Sequence, residues 1–429
     1  MDSFNNNYKE AERALERSLA QNDANYDFRK GRLIAAKGCE YSLDDFETKL
    51  NNNVLIVGGS GTGKTEYEVK PNIEQAVGSY LISDPKGLLK KQYSSFLRER
   101  GYKVVNIDFT DPKKSSGYNP LHYIHTTQEV SKLARIVVDS DDVKNASVDP
   151  FWTNNAIILL EAIIAYFIET RAHQFTFKDI LDLINMGDRA SEDSKTSALS
   201  RIFRDHKLRN HKSWACDKFD SINSAPYKTY DCIRSSLTSS FSSFDTEELR
   251  QMMCRKSIDF AQIAQEKTAV FVTVSDTDRT MDTLVNIFFT QAMNELCSYA
   301  DKQCLNGRLP IPVRFILDDF ATNCRIAEFP RMISSIRSRA ISVMLMIQSE
   351  AQLVQGYDYD AQTIISNCDT YIYLGGNDVQ TAQAVADRCD KPMNEILNMP
   401  IGSCWVFRRG DKPRYGCLEY SKVIEQIKE

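Results

Sequence analysis

Residues 58–65 read G-G-S-G-T-G-K-T, a complete G-x-x-x-x-G-K-T pattern. Glycines at this density let a backbone curl until successive N–H groups face phosphate oxygens, and a helix that follows adds the positive end of its dipole. Gly58, Gly59, Ser60, Gly61, Thr62 and Gly63 would form the cradle, Lys64 would reach the β- and γ-phosphates, and Thr65 would set its hydroxyl on a magnesium ion. The cofactors implied are ATP and Mg²⁺. A Gly-rich turn with a chance lysine is the bland alternative, but the apolar run before the pattern and the helical run after it supply the strand and helix that a phosphate loop needs.

Such a loop also needs an acid at the end of another strand. Residues 314–320, RFILDDF, offer two: Asp318 for the Mg²⁺ shell and Asp319 to polarise the attacking water. The next apolar run ends in Gln348, an amide placed either to sense the γ-phosphate or to cap a turn. Between them lie Arg331, Arg337 and Arg339, one of which could reach a neighbouring subunit's nucleotide as an arginine finger, or which simply complement a helix end. The densest basic stretch is 201–212, RIFRDHKLRNHK, with Asp205 its only acid; it reads either as a phosphate contact or as a solvated helix face. An N-K-x-D motif is absent, which argues against a small GTPase. The gap of about 250 residues from Lys64 to Asp318 is too long for a compact nucleotide kinase.

The elements that would position these residues follow from periodicity. Short β-rich runs alternate with helical stretches from residue 53 to about 120 and again after 255, the spacing of a mostly parallel α/β sheet. Between 121 and 254 the strand signals stop and five helical runs follow one another. The expected organisation is a leader over 1–47, with a helix at 11–20 and little core of its own, and a nucleotide-binding domain over 48–120 and 255–429. An all-α insertion over 121–254 interrupts that domain. The Ser/Thr-rich patch 235–246 reads as a connector back to the sheet, and Pro71 as the point where the helix after the loop ends or kinks.

Composition excludes several classes. Apolar residues make up 42% and charged residues 26%, as in ordinary globular chains, and 53 basic against 58 acidic residues leave a net charge of −5. That does not favour a surface that grips nucleic acid all round. Eleven cysteines without a C-x-x-C pair, and five histidines without metal spacing, point to reduced thiols and no structural zinc. The longest apolar run, 156–168, is short and carries Glu161, so the chain is expected to be soluble as it stands.

Taken in order, the segments 58–65, SDPKG (83–87), YNPL (118–121), DPFW (149–152), LDDFATNCRI (317–326), SSIRSRAIS (334–342), IQSEAQL (347–353) and NCDTYIYLGG (367–376) resemble the coupling ATPases of type IV secretion and conjugation. These are TraG/TrwB-like relatives of the FtsK and HerA DNA pumps. The resemblance spans about residues 53–390 and implies a RecA-like P-loop domain, α/β with a mostly parallel sheet, interrupted by an inserted all-α domain. It further implies a homo-hexamer when active, with Arg337 as the finger and Gln348 as the sensor; the isolated chain is expected to be a monomer, because a ring needs avidity and the anchor that concentrates subunits is not seen. The implied partners are a relaxase or relaxosome with single-stranded DNA, and type IV channel ATPases.

Two features depart from the family. Aspartate stands at 319 where glutamate is usual, and the family's N-terminal transmembrane helices are not seen. The second departure leads to the expectation of a cytoplasmic protein held at the inner face of the membrane by a separate anchoring protein, docked through residues 1 to about 50. A nucleotide-gated receptor that hardly turns over, and a soluble FtsK/HerA-like translocase, remain rival readings.

Overall fold

The computed structural model describes residues 28–142, 150–170, 175–188, 196–322 and 324–418. The expected helix at 11–20, Asp149 of the DPFW segment and Asn323 lie outside them. Two compact units are present: residues 1–106, 259–277 and 292–429 form the first, and residues 107–258 and 278–291 form the second. The second unit is wider than the 121–254 helical block, because it takes in 107–120 and the start of the helix Asp282–Gln303.

The first unit is built on a nine-stranded sheet. Its strands are β3 (Val54–Val57), β4 (Ser79–Pro85), β5 (Lys103–Asp108), β6 (Thr268–Val274), β7 (Val313–Leu317), β8 (Ile341–Ile347), β9 (Thr370–Tyr373), β10 (Ser403–Arg408) and β11 (Arg414–Cys417). Their order is β11-β10-β9-β3-β8-β7-β4-β6-β5. The pairs β3/β8, β3/β9, β7/β8, β4/β7 and β4/β6 are parallel, while β10 runs antiparallel to β9 and β11. This is the mostly parallel α/β sheet that the periodicity implies. β3, β6 and β7 are buried at every position and apolar apart from Thr268, Thr273 and Arg314, as a strand covered on both faces mostly is.

The register sets the functional edge. Val57 pairs with Ile347 and with Tyr373, and Leu317 pairs with Leu345. Gly58, Gln348 and Asp318 therefore leave the sheet at the same, carboxyl end, with β8 as the spacer between β3 and β7. Crevices at the carboxyl ends of parallel strands are where such sheets take ligands.

Part of the expected leader is core. Residues 32–42 form an antiparallel hairpin, β1 (Arg32–Ala36) and β2 (Cys39–Ser42), and Leu33, Ala35, Ala36, Cys39 and Tyr41 join the apolar cluster that holds Val54, Ile56, Val69 and Ile73. The expectation of little core over 1–47 fails here because alternate residues of a five-residue strand were enough to bury one face. The patch 235–246 is likewise no connector: it is the end of the helix Tyr227–Phe241 and a 3₁₀ turn, Ser242–Phe244, with Leu237, Phe241 and Phe244 buried and Phe177 edge-on to Phe241.

The second unit is helical over most of its described residues. Its helix Pro150–Glu169 is long and apolar enough to cross a membrane by length and composition. Ala156 to Ala165 are almost all buried against neighbouring helices, so packing accounts for the apolarity. Glu161 is buried and receives Lys218 Nζ at 2.6 Å.

The chain after the loop opens with a π-helical turn, Lys64–Val69, and continues as an α-helix, Lys70–Glu74, so Pro71 sits in the first α turn and does not end the helix. The wide turn carries Glu68 into the core. Neither of its carboxylate oxygens has a hydrogen-bond partner among the described residues, and burial holds its pKa well above the ordinary glutamate value.

Glu68 is thus protonated in the folded chain over a range where it ionises in the unfolded one. Its contribution is intact below the unfolded value and is lost as pH rises toward the folded value, at up to ~1.4 kcal/mol per pH unit. Glu68→Gln removes that proton linkage. Thermal midpoints measured from about pH 5 to pH 8 should show the variant gaining on the parent as pH rises; parallel curves would mean that Glu68 is not held protonated.

Candidate functional site

The loop after β3 is fixed from both sides. Gly58 N donates to Ile347 O at 3.1 Å and Gly59 N to Gly375 O at 2.9 Å, so β8 and the turn after β9 each hold one residue of it. Thr62 Oγ1 bonds Gly59 O at 2.9 Å inside the curl. Two glycines are required by space: a Cβ on Gly58 would lie 2.5 Å from Thr62 Oγ1, and Gly63, at φ 89°, would put one 2.3 Å from the Tyr67 ring. Gly375 and Gly376 after β9 are part of the same close approach. Their motif was visible in the sequence, but not their contact with the loop.

Lys64 turns back on the loop. Its Nζ donates to Gly58 O at 2.7 Å and Gly59 O at 3.2 Å. Burial lowers its pKa, opposed by Asp319 and Asp318. Thr65 Oγ1 donates to Asp318 Oδ2 at 3.0 Å, across 253 positions of sequence. Asp318 is pushed above the usual carboxylate range by burial first and by Asp319 second, with Thr65 and Lys64 pulling the other way. A hydroxyl and a part-buried, charge-crowded carboxylate at contact distance are the oxygens a divalent cation takes, and the crowding is what that cation would relieve.

Asp319 stands beside this pair in the left-handed region, φ 49°, followed by Ala321 at φ 72°. Non-glycine residues there cost about 1–2 kcal/mol each. The turn is held by Phe320 N to Met346 O at 2.9 Å and by Thr322 Oγ1 to Asp319 O at 2.8 Å. Phe320 is buried, stacks on Tyr357 at 5.6 Å and meets Phe329 edge-on at 5.1 Å. An aromatic anchor thus supports a strained acid. Gln348 Nε2 reaches Asp319 Oδ1 at a long 3.4 Å, while its own N–H is capped by Gln352 Oε1 at 2.8 Å. The glutamine therefore sits at the turn and also faces the acid.

The other arginines part company. Arg339 is committed to Asp301 by two 2.8 Å bonds. Arg337 precedes β8, whereas Gln348 follows it; seven residues of strand separate them by about 20 Å, so Arg337 cannot attend the phosphate loop of its own chain. It donates to Asp45 O at 2.9 Å. In the basic stretch, Lys207 pairs with Asp220 and His206 Nε2 lies 2.8 Å from Glu169 Oε2, while Arg201, Arg204 and Arg209 are exposed.

The sequence alone assigns SDPKG no task. In the structure Asp84 caps the helix Leu88–Glu99, accepting from Leu89 N at 3.0 Å and Lys90 N at 2.8 Å. Lys86, at φ 76°, leaves the carboxyl end of β4 and pairs with Asp276 of the β6 end at 2.9 Å. This adds a cation to the edge that carries Asp318 and Asp319. The signal was its position at a strand end.

A family model for conjugative DNA transfer by the type IV secretory system matches residues 2–391. No curated protein sequence matches the chain. Among solved structures, the chain is similar to the bacterial conjugative coupling protein TrwBdeltaN70 in its unbound monoclinic form, with a TM-score of 0.64 and 14% identity over 95% of this chain and 92% of that one. It is also similar to plasmid coupling protein TrwB with ADP and Mg²⁺, at 0.60 and 14% over 86% and 85%. VirB4 of Thermoanaerobacter pseudethanolicus follows at 0.56 and 12% over 94% and 99%. At these identities the likeness is one of fold.

Removing the Lys64 ammonium deletes a charged hydrogen-bond donor, worth about 1.5–3 kcal/mol. Lys64→Ala should bind ATP about 10- to 100-fold more weakly in a fluorescent-nucleotide titration. Undiminished affinity would place the nucleotide elsewhere.

Proposed function

The chain belongs to the conjugative DNA transfer family of type IV secretory systems, and from that premise we propose that it is a coupling ATPase. It binds ATP with Mg²⁺ at the carboxyl edge of β3, β8 and β7, and uses the hydrolysis cycle to hand a relaxase–DNA substrate to the membrane channel. The observation that carries the reading is the convergence of Thr65 on Asp318 at 3.0 Å with Lys64 and Asp319 beside them. Four groups from distant parts of the chain meet in the arrangement phosphoryl transfer needs.

Each residue has a task. The N–H groups of residues 58–65 hold the phosphates, and Lys64 leaves the loop carbonyls for the terminal phosphates. Thr65 and Asp318 hold Mg²⁺, which neutralises phosphate charge when bound. Asp319 accepts the proton of the attacking water, and Gln348, within 3.4 Å of it, orients that water. Arg337, on the opposite edge, serves a neighbour's nucleotide. That division calls for a ring, a homo-hexamer in the active state, assembled from chains that are monomeric when dilute. The helical unit takes the relaxase and single-stranded DNA. A separate membrane-anchoring protein and the channel ATPases complete the assembly at the inner face of the membrane.

One observation favours a second reading. Aspartate at 319 is a methylene shorter than glutamate, and its bond to Gln348 is long. A water held that loosely turns over slowly, and the protein would then act as a nucleotide-gated receptor.

Steady-state hydrolysis with and without single-stranded DNA separates the two. Asp319→Asn should keep ATP binding and lose about 10²- to 10⁴-fold in turnover, while Asp319→Glu keeps or raises it. Parent turnover no greater than that of Asp319→Asn would favour the receptor; an asparagine variant as fast as an active parent would remove Asp319 from the mechanism.

A further inference from the structure

The amino end of the same sheet holds a second, chemically different pocket. It opens to solvent, and Arg308, Arg314, Arg337, Asp45, Asn52 and Ser342 are among its walls. Three guanidinium groups face one carboxylate. Asp45 is already shared: Arg308 grips it with bonds of 2.7 and 3.1 Å, and Arg337 donates to its carbonyl at 2.9 Å and approaches its side chain at 3.8 Å. Asn52 Nδ2 is spent on Leu43 O at 2.8 Å.

Arg314 receives no share of that acid. It is the second residue of β7 and only 8% exposed. Among the described residues its one hydrogen bond runs from Nε to Ser342 Oγ, 3.2 Å, which leaves the terminal nitrogens without a protein partner. Burial lowers its pKa, and no carboxylate opposes the shift. Buried guanidinium groups are ordinarily paired, because the desolvation cost of a lone one is several kcal/mol. An arginine kept in this state at a pocket wall is an anion ligand awaiting its anion, and its planar fork suits tetrahedral oxyanions.

We propose that this pocket binds a phosphate-class oxyanion, with Arg314 as its buried ligand and Arg337, the most exposed of the three arginines, closing on it. An anion there competes with Asp45 for Arg337, so occupancy would loosen the contact that now holds that side chain. The site stands on its own geometry and does not require Arg337 to serve a neighbour's nucleotide. The phosphate has two candidate sources, free inorganic phosphate and the terminal phosphate of a nucleotide carried by a second copy of the chain.

The test fills the phosphate loop first. With the chain saturated by Mg²⁺-ADP, inorganic phosphate is titrated against chloride at matched ionic strength, and the thermal midpoint and binding heat are followed. The parent should show a phosphate-specific rise and a binding isotherm. Arg314→Met should lose both, and in phosphate-free buffer should melt no lower than the parent, since an unpaired buried charge has been replaced by a thioether of similar length. Should that variant fold poorly, Arg337→Gln, at a half-exposed position, should still weaken phosphate binding about tenfold.

A second arm replaces phosphate with a non-hydrolysable ATP analogue at rising protein concentration. An Arg314-dependent rise confined to high concentration assigns the anion to a second copy, and a rise with inorganic phosphate at any concentration assigns it to the free ion. No Arg314-dependent signal in either arm, or a phosphate effect unchanged in Arg314→Met, overturns the proposal.

Discussion

The charge balance among Lys64, Asp318 and Asp319 governs the carboxyl edge of the sheet. Burial makes each ionised form costly, lowering the lysine's pKa and raising that of Asp318, and each shift is opposed by the partner across β8. The lysine spends its protons on the Gly58 and Gly59 carbonyls, and Asp318 takes the Thr65 hydroxyl. These are contacts of the kind that a phosphate and a divalent cation can replace.

Strand order turns that balance into geometry. With β8 between β3 and β7, the loop and the acids are one strand apart, near enough for Thr65 to touch Asp318. The same order places Arg337, Arg308 and Arg314 at the amino end of β7 and β8, where the only acid among the named pocket residues is Asp45. One end of the sheet carries two adjacent acids, and the other carries three arginines. A second copy that brought its phosphates to the amino end would meet those arginines.

The phosphate loop, Asp318 and the parallel sheet were legible because each is written locally: a contiguous motif, or apolar runs of strand length bounded by turns. Gln348 and Asp319 could be placed at strand ends, but their 3.4 Å approach depends on register, which one chain's pattern does not print. The β1–β2 hairpin was missed because its five- and four-residue strands lie beside polar sequence, and burial comes from tertiary packing against β3 and the helix behind it. The patch 235–246 misled through composition: Ser235, Ser236 and Ser239 are exposed on a helix whose inner face holds Leu237, Ser240 and Phe241. Arg314 looked like an ordinary strand residue next to an acid motif. Only the absence of a carboxylate partner among the described residues sets it apart, and that is a property of the fold.

The claim on which the rest turns is that a competent site takes its phosphate loop from one chain and Arg337 from another. Mixing Lys64→Ala with Arg337→Ala tests it directly, by ATP turnover at increasing total protein in the presence of single-stranded DNA. Each variant alone should be inactive, and the mixture should recover part of the parent rate, more at higher concentration, because an Arg337→Ala loop beside a Lys64→Ala neighbour is complete. A mixture as silent as its components, or a parent rate per chain that does not change with concentration, would contradict it.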